Sequence, residues 1–394
     1  MSEWKEYKLG EIANVQTGPF GSQLHQSDYV EVGIPSIMPV NIGNRMEIAT
    51  DKIVFITEED AKRLTRYRVR EGDIVYSRRG DVEKCAYINK QENGWLCGTG
   101  CLRIRIDSKL ANSKFVAYYL STEDIKSWIS NNAVGTTMPN LNSSILQQVP
   151  LSLPFLDEQR RIASILTSLD DKIDLLRREN ATLEAMVETL FRQWFVVEAK
   201  EEWEEGKFGD ILSVKGGTTP STKEPSYWDG NIAWTSPRDV TTLNGLYLFD
   251  TEKKITQKGL EQISSGLLPK GILLMSSRAP VGVLAFTELP LAINQGYIAI
   301  LDDKGYSKEF IYLWLKANMD LVHSYSNGST FMEISKSSFK SLDLLVPPQS
   351  EVEEFVGKVK PYFEKIRVNE IQIQTLIQTR DGLLPRLMSG EILL

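Results

Sequence analysis

Two stretches of the chain carry apolar residues on a seven-residue repeat. In the first, Ile162, Leu169, Leu176, Leu183 and Leu190 alternate with Leu166, Ile173, Asn180, Val187 and Trp194. That spacing keeps one stripe on one face of an α-helix and predicts a coiled-coil helix with one polar insertion, Asn180. In the second, Phe355, Tyr362, Asn369, Leu376 and Leu383 interleave with Val359, Ile366, Ile373, Arg380 and Leu387. Its insertions are Asn369 and Arg380. Laid antiparallel, the seams set Asn180 against Asn369, Ile173 against Leu376, Leu183 against Ile366, Leu190 against Val359 and Leu166 against Leu383. Only Leu169 then meets a charge, Arg380. A buried asparagine pair fixes register, because a slip leaves its amides without partners. The bland alternative is two separate helices, each docked on its own module. Pro361 deletes a backbone donor and crowds the preceding turn. A kink or late start is expected there, and the pairing is not carried past it to Trp194 and Phe355.

Both helices carry more apolar residues than a two-helix seam needs. Ile165, Met186 and Phe191 flank the first stripe, and Val356, Phe363, Ile377 and Leu384 the second. Either the rest of the chain or a partner's helices must cover them, and partner docking is the reading preferred.

Ahead of each helix the pattern changes to short strands punctuated by Gly, Pro, Asn and Asp, with a few helices. Strands are predicted over 73–77, 102–106, 272–276 and 297–301, and short amphipathic helices over 114–120 and 308–315. Their aromatics, Phe115, Tyr118, Tyr119, Phe310, Tyr312 and Trp314, read as core. The two regions also repeat each other. Trp4 and Leu9-Gly10-Glu11-Ile12 correspond to Trp203 and Phe208-Gly209-Asp210-Ile211. Glu71-Gly72-Asp73-Ile74-Val75-Tyr76-Ser77-Arg78-Arg79 corresponds to Lys270-Gly271-Ile272-Leu273-Leu274-Met275-Ser276-Ser277-Arg278, and Gly135-Thr136-Thr137-Met138 to Gly328-Ser329-Thr330-Phe331. A long unit present only twice is a duplicated domain, since solenoid repeats are shorter and more numerous. The expected architecture is α+β: a first module over 1–155, a helix over 156–202, a second module over 203–347 and a second helix over 348–394, with an internal pseudo-twofold.

Composition adds limits. The 394 residues are 42% hydrophobic and 25% charged, as in a soluble globular protein. No apolar run approaches the roughly 20 residues of a membrane span, and the Met-Ser-Glu-Trp start is unlike a signal peptide, so a cytoplasmic protein with no membrane role is expected. The net charge of −7 is uneven: the modules balance, with 18 basic and 18 acidic residues over 1–155 and 14 of each over 206–346, whereas 156–205 holds 7 and 13. A neutral module can still carry a basic face. Cys85, Cys97 and Cys101 all lie in the first module and have no counterparts in the second. They read as reduced, mostly buried thiols, not metal ligands. His25 and His323 sit in no ligand motif, and no metal is expected.

The order of these elements, the Val-Pro-Leu-Ser-Leu-Pro-Phe-Leu-Asp-Glu-Gln-Arg-Arg-Ile run at 149–162, the Leu-Val-Pro-Pro-Gln-Ser-Glu-Val-Glu-Glu-Phe run at 345–355 and the ending Leu-Leu-Pro-Arg-Leu-Met-Ser-Gly-Glu-Ile at 383–392 resemble the specificity subunit of type I restriction-modification systems. One departure is Ser350-Glu351-Val352 where the first copy has Asp157-Glu158-Gln159. The resemblance implies two target-recognition domains reading the halves of a bipartite double-stranded DNA sequence, joined by two antiparallel helices. It further implies two modification subunits methylating adenine N6 with S-adenosylmethionine, and restriction or translocase subunits. The geometry of a helix of about 35 residues, about 50 Å at 1.5 Å per residue, suits a ruler for the unread spacer.

Catalysis is expected on the partners. The chain has neither a Gly-rich cofactor loop with an Asn/Asp-Pro-Pro-aromatic motif nor a phosphate-cradling loop, so S-adenosylmethionine and ATP are expected only on partner subunits. For DNA contact, Arg reads guanine best and Asn or Gln adenine. The second module has only two arginines over 206–346, Arg238 and Arg278, and Arg278 repeats Arg79, which follows Arg78. The other candidates are the polar glycine loops Thr17, Gly18, Phe20, Ser22, Gln23 and Gly216, Gly217, Thr218, Thr219, Ser221, then Asn294 and Gln295, and the turns Thr136, Thr137, Ser329 and Thr330. Each has a turn-forming role as its alternative. A protein-only scaffold joining two ligand-binding modules is the rival reading.

Overall fold

The computed structural model describes residues 4–135, 139–328, 332–392 and 394. Thr136, Thr137, Ser329 and Thr330 lie outside the described residues. The chain forms two compact units, 1–172 with 376–394, and 173–375. Each unit therefore holds one module together with part of both long helices.

In the first unit, Ala13–Thr17, Cys101–Ile106, Ile74–Ser77 and Cys85–Tyr87 make an antiparallel four-stranded sheet in that order. A second four-stranded sheet runs Tyr29–Val30, Val54–Ile56, Ile34–Ile37, Leu96–Cys97, its last pair parallel. In the second unit the order Ser213–Lys215, Tyr297–Leu301, Leu273–Ser276, Leu284–Thr287 repeats the first sheet and adds Tyr247–Leu248 in parallel at the edge. The smaller sheet, Lys253–Ile255, Trp228–Thr235, Leu291–Ile293, again ends in a parallel pair. The duplication seen in sequence is thus a duplication of topology.

Both modules are closed in the same way. Lys5–Lys8 pairs antiparallel with Pro150–Leu153, and Glu204–Lys207 with Asp343–Val346. The helices Ser113–Leu120 and Lys308–Ala317 cover the larger sheets and begin at side-chain caps, Asn112 accepting from the Phe115 amide and Ser307 from that of Phe310. Phe115, Tyr118, Phe310 and Tyr312 are fully buried, as a core reading of these aromatics requires.

The first long helix spans Leu156–Arg192 and the second Gln349–Met388. Asn369 Nδ2 donates to Asn180 Oδ1 at 2.7 Å and to Glu179 Oε2 at 2.9 Å. Leu183, Leu190, Val359 and Ile366 share the core of the second unit, and Leu166 and Leu383 that of the first. At the mismatched layer, Arg380 turns from the seam to Asp170 at 2.8 Å, and Tyr118 donates to the same carboxylate at 2.6 Å.

The second helix does not start late at Pro361: it begins at Gln349 and runs through the proline. Proline in a helix costs about 3 kcal/mol, while burying a large apolar side chain contributes roughly 1.5–3 kcal/mol. Phe355, Val359, Phe363 and Ile366, all buried around Pro361, outweigh the cost. The pairing consequently continues past the proline, with the rings of Trp194 and Phe355 5.6 Å apart.

The apolar flanks are covered differently from the preferred reading. Phe191 and Phe363 are only 1% and 2% exposed. Phe191 packs on Phe195, Phe310 and Phe355, and Phe363 on Phe286 and Tyr312. These two are core of their own unit, which removes them from any partner-facing set. Val356 and Leu384 are half-buried against the cores of the second and first unit, Ile165 and Ile377 are half-buried, and Met186 is 43% exposed.

Candidate functional site

In each module five loops meet at one end of the larger sheet, and backbone bonds and close approach hold them together. In the first, the Arg78 amide donates to the Gly100 carbonyl at 2.8 Å and the Leu141 amide to the Arg78 carbonyl at 2.8 Å. In the second, the Ser277 amide donates to the Gly296 carbonyl at 2.8 Å and the Ile334 amide to the Ser277 carbonyl at 3.0 Å. Arg79 bridges Asn140 just as Arg278 bridges Glu333.

The glycine loops join by close approach. A Cβ on Gly18 would stand 2.2 Å from the Gly98 carbonyl oxygen, and one on Gly217 1.7 Å from that of Ile293. Neither position has room for a side chain, so both are framework. A turn at a proline supplies the remaining loop. The Met38 amide donates to Asn41 Oδ1 at 2.8 Å, and the Ser236 amide to Asp239 Oδ2 at 2.8 Å, which sets Val40 and Arg238 at equivalent places.

What these frameworks present differs between the modules. In the first, Phe20 is 58% exposed with the Arg78 guanidinium 5.9 Å from its ring, Val40 is 63% exposed, and Ser22 and Arg79 are exposed. Gln23 is occupied: its carbonyl accepts from Arg63 at 2.9 Å and its side chain from the Tyr67 hydroxyl at 2.7 Å. In the second, the Arg238 side chain is 77% exposed, with Glu252 3.8 Å away, and Arg278 faces Glu333 at 4.0 Å. Thr219 donates to Gln295 Oε1 at 2.7 Å, which brings two candidates into one polar pair.

Other candidates serve the loops themselves. Thr218 donates to the Gln262 carbonyl and accepts from the Ser264 amide. Asn294 Oδ1 accepts from the Gly296 amide at 2.8 Å, and the Ser221 carbonyl accepts from Trp228 Nε1. Gly216 lies beside Lys336. Tyr297, whose hydroxyl donates to the Ser236 carbonyl at 2.6 Å, has its pKa raised by burial and so stays a donor. Thr99, which precedes Gly100 as Gln295 precedes Gly296 and donates to the Pro19 carbonyl at 3.0 Å, was missed in the sequence, and so was Val40. The signal was present, since Met38-Pro39-Val40-Asn41 repeats Ser236-Pro237-Arg238-Asp239 with an amide or carboxylate acceptor three residues on from each loop's start.

No group of three or more His, Cys, Asp or Glu that could hold a metal occurs among the described residues. The three thiols are buried and unpaired, and burial pushes those of Cys85 and Cys97 up to about 12, the range of inert core cysteines. No described helix is long and apolar enough to cross a membrane.

Comparison with known proteins bears on these paired modules directly. The family model described as type I restriction modification DNA specificity domain matches residues 1–185 and again 200–379. The type I restriction enzyme HindI specificity subunit of Haemophilus influenzae is 23% identical over an alignment of 474 positions covering 100% of both chains. The MjaIX specificity subunit of Methanocaldococcus jannaschii is 34% identical over 185 residues, 46% of this chain and 43% of that one. That match spans less than half of the relative's length. In fold, the chain is similar to the S subunit of the type I restriction-modification system of M. genitalium, with TM-score 0.62 and 17% identity over 98% of this chain and 96% of that one. With two copies of the family's domain spanning nearly its whole length, the chain belongs to the family of type I restriction-modification specificity subunits.

Proposed function

We propose that this chain selects the DNA sequence on which a type I restriction-modification complex acts, each module reading one half of a bipartite target. The observation that carries the reading is the pairing of an identical loop framework with unlike side chains. Val40 stands where the second module has Arg238, Arg78 where it has Ser277, Thr99 where it has Gln295, and Asn140 where it has Glu333. Selection for folding alone would not require that contrast, whereas two readers of two different sequences need the same scaffold and different contact chemistry.

The two long helices would set the unread spacer and receive two adenine-N6 methyltransferase subunits, with restriction or translocase subunits joining the assembly. The first helix, 37 residues, is about 55 Å long at 1.5 Å per residue, comparable with roughly one and a half turns of B-DNA. S-adenosylmethionine and ATP would be bound by those partners, and this chain would contribute binding and position without chemistry of its own.

The test is co-expression with an adenine methyltransferase partner, followed by mapping of methylated adenine. A split motif is expected, and Arg238→Ala should relax one half while leaving the other intact. A chain that directs no methylation in any sequence context, or a variant that alters both halves equally, would overturn the reading in favour of a scaffold that never touches DNA.

A further inference from the structure

The first module balances its charges in number but not in space. Along 66–70, Tyr67 and Val69 are buried while Arg66 and Arg70 are exposed and Arg68 is half-buried, so the three arginines share the outer side. Arg103 and Arg105 lie two apart on the strand Cys101–Ile106 and therefore on one face. Arg103 donates to the carbonyls of Arg66 at 2.8 Å and Arg68 at 3.4 Å, and Arg105 to that of Arg68 at 3.3 Å. Burial first, then the charge of Arg105, lowers the pKa of Arg103, with Arg70 adding to it, as expected where like charges are gathered.

The cluster runs into the loops described above. Arg63 donates to the Gln23 carbonyl at 2.9 Å, and Arg103 to Gln16 Oε1 at 2.7 Å, one residue before Thr17. Two of the six arginines are matched, Arg63 by Asp60 and Arg105 by Asp73, each at 2.6 Å. Arg66, Arg68, Arg70 and Arg103 form no ion pair among the described residues.

The second module is an internal control for what the fold requires. Strand register pairs Val75 with Arg103 and Leu274 with Ala299, so Ala299 and Leu301 replace Arg103 and Arg105. By the same repeat, Gln262, Ser265, Leu267 and Pro269 replace Arg63, Arg66, Arg68 and Arg70, and Ile272 replaces Asp73. The same sheet is built there without one of these charges.

Resting on the DNA-reading function proposed above, we propose that Arg66, Arg68 and Arg70, flanked by Arg63 and Arg105, form a strip that grips backbone phosphates of double-stranded DNA. Guanidinium groups suit phosphate by their planar, two-pronged donor geometry. The first module then supplies a phosphate grip that the equivalent positions of the second module lack. Phosphate contacts release counterions, so their number is read from the slope of log affinity against log salt.

The test uses the full chain, a fluorescently labelled mixed-sequence DNA duplex and a salt titration. Arg68 and Arg103 are left in place, because they also bond the backbone of their own module. Arg66 also donates to the Tyr67 hydroxyl and lies over its ring, so Tm is followed alongside, and Arg66→Gln with Arg70→Gln should make the slope shallower by about 0.9 per lost contact, about 1.8 in all. Arg66→Lys with Arg70→Lys should restore most of the slope, which separates charge from any structural role. An unchanged slope in the Gln variant, or a Lys variant as shallow as the Gln one, overturns the strip. Failure of the wider reading looks different: the wild-type chain bound to its methyltransferase partner would then show no preference among DNA sequences, whatever the slopes.

Discussion

Asn369 donates its side-chain amide to Asn180 across the helical seam at 2.7 Å, and both residues are buried. Glu179 takes the second proton of the same amide at 2.9 Å and also faces Lys365 at 3.4 Å. The polar layer is thus tied to solvent-side charge on one flank. Replacing Asn369 with Leu should cost about 1–3 kcal/mol, because Asn180 is left buried without its partner. Replacing both with Leu should recover that loss and more while weakening register. Denaturant titrations of the two single variants and the double check it, and additive losses would contradict it.

Glu370 accepts the amides of Leu246 at 2.7 Å and Tyr247 at 3.1 Å, and burial pushes its pKa up to about 7. A carboxyl that keeps its proton longer folded than unfolded binds more protons in the native state. Its contribution to stability therefore falls as pH rises from about 4.5 to about 7, by about 3 kcal/mol at most. Glu370→Gln should gain in Tm relative to wild type across that window. A difference that stays flat between pH 5 and pH 8 would rule this out.

Gly18 and Gly217 admit no Cβ, with carbonyl oxygens at 2.2 Å and 1.7 Å from where it would sit. Alanine at either place forces the loop off the neighbouring strand end, a strain of about 1–3 kcal/mol. Each variant should blur recognition of one half-site. Methylation mapping that finds both variants indistinguishable from wild type would show that the loops tolerate the shift.

Phe191 and Met186 lie on the same helix and flank the same stripe, but only the first is covered. Phe191→Ala should destabilise the second unit by about 3–5 kcal/mol, whereas Met186→Ala should stay within about 0.5 kcal/mol in the isolated chain. Any large effect of Met186→Ala should instead emerge in assembly with partner subunits, measured by co-purification. Equal losses of Tm for the two variants would count against this division.

The helices were legible because a seven-residue repeat leaves few alternatives: the stripe from Ile162 to Leu190 could be read residue by residue. The central strands were legible through their repetition, as in Ile74–Ser77 and Leu273–Ser276. The pairing of Lys5–Lys8 with Pro150–Leu153 was not, since the first strand is short and mostly charged and the second has only four residues in which to show alternation. The cover over Phe191 and Phe363 was also beyond reach, because an apolar flank looks the same whether its own module or a partner lies on it. Where the second helix begins was hidden for a related reason, as the local propensity of Pro361 says nothing of the aromatic packing around it. At the loops, Val40 was hidden because an exposed valine on a turn has no chemical signature. Only its alignment with Arg238 gives it meaning.

The antiparallel ties at Lys5 to Leu153 and Glu204 to Val346 bring the two ends of each module side by side. Such a unit behaves as a cassette: the chain leaves it almost where it came in. If the modules read DNA as proposed, a different module cut at the same ties could be transplanted without moving the helices that follow, and new specificities would be open to this architecture by exchange of whole blocks as well as by point change.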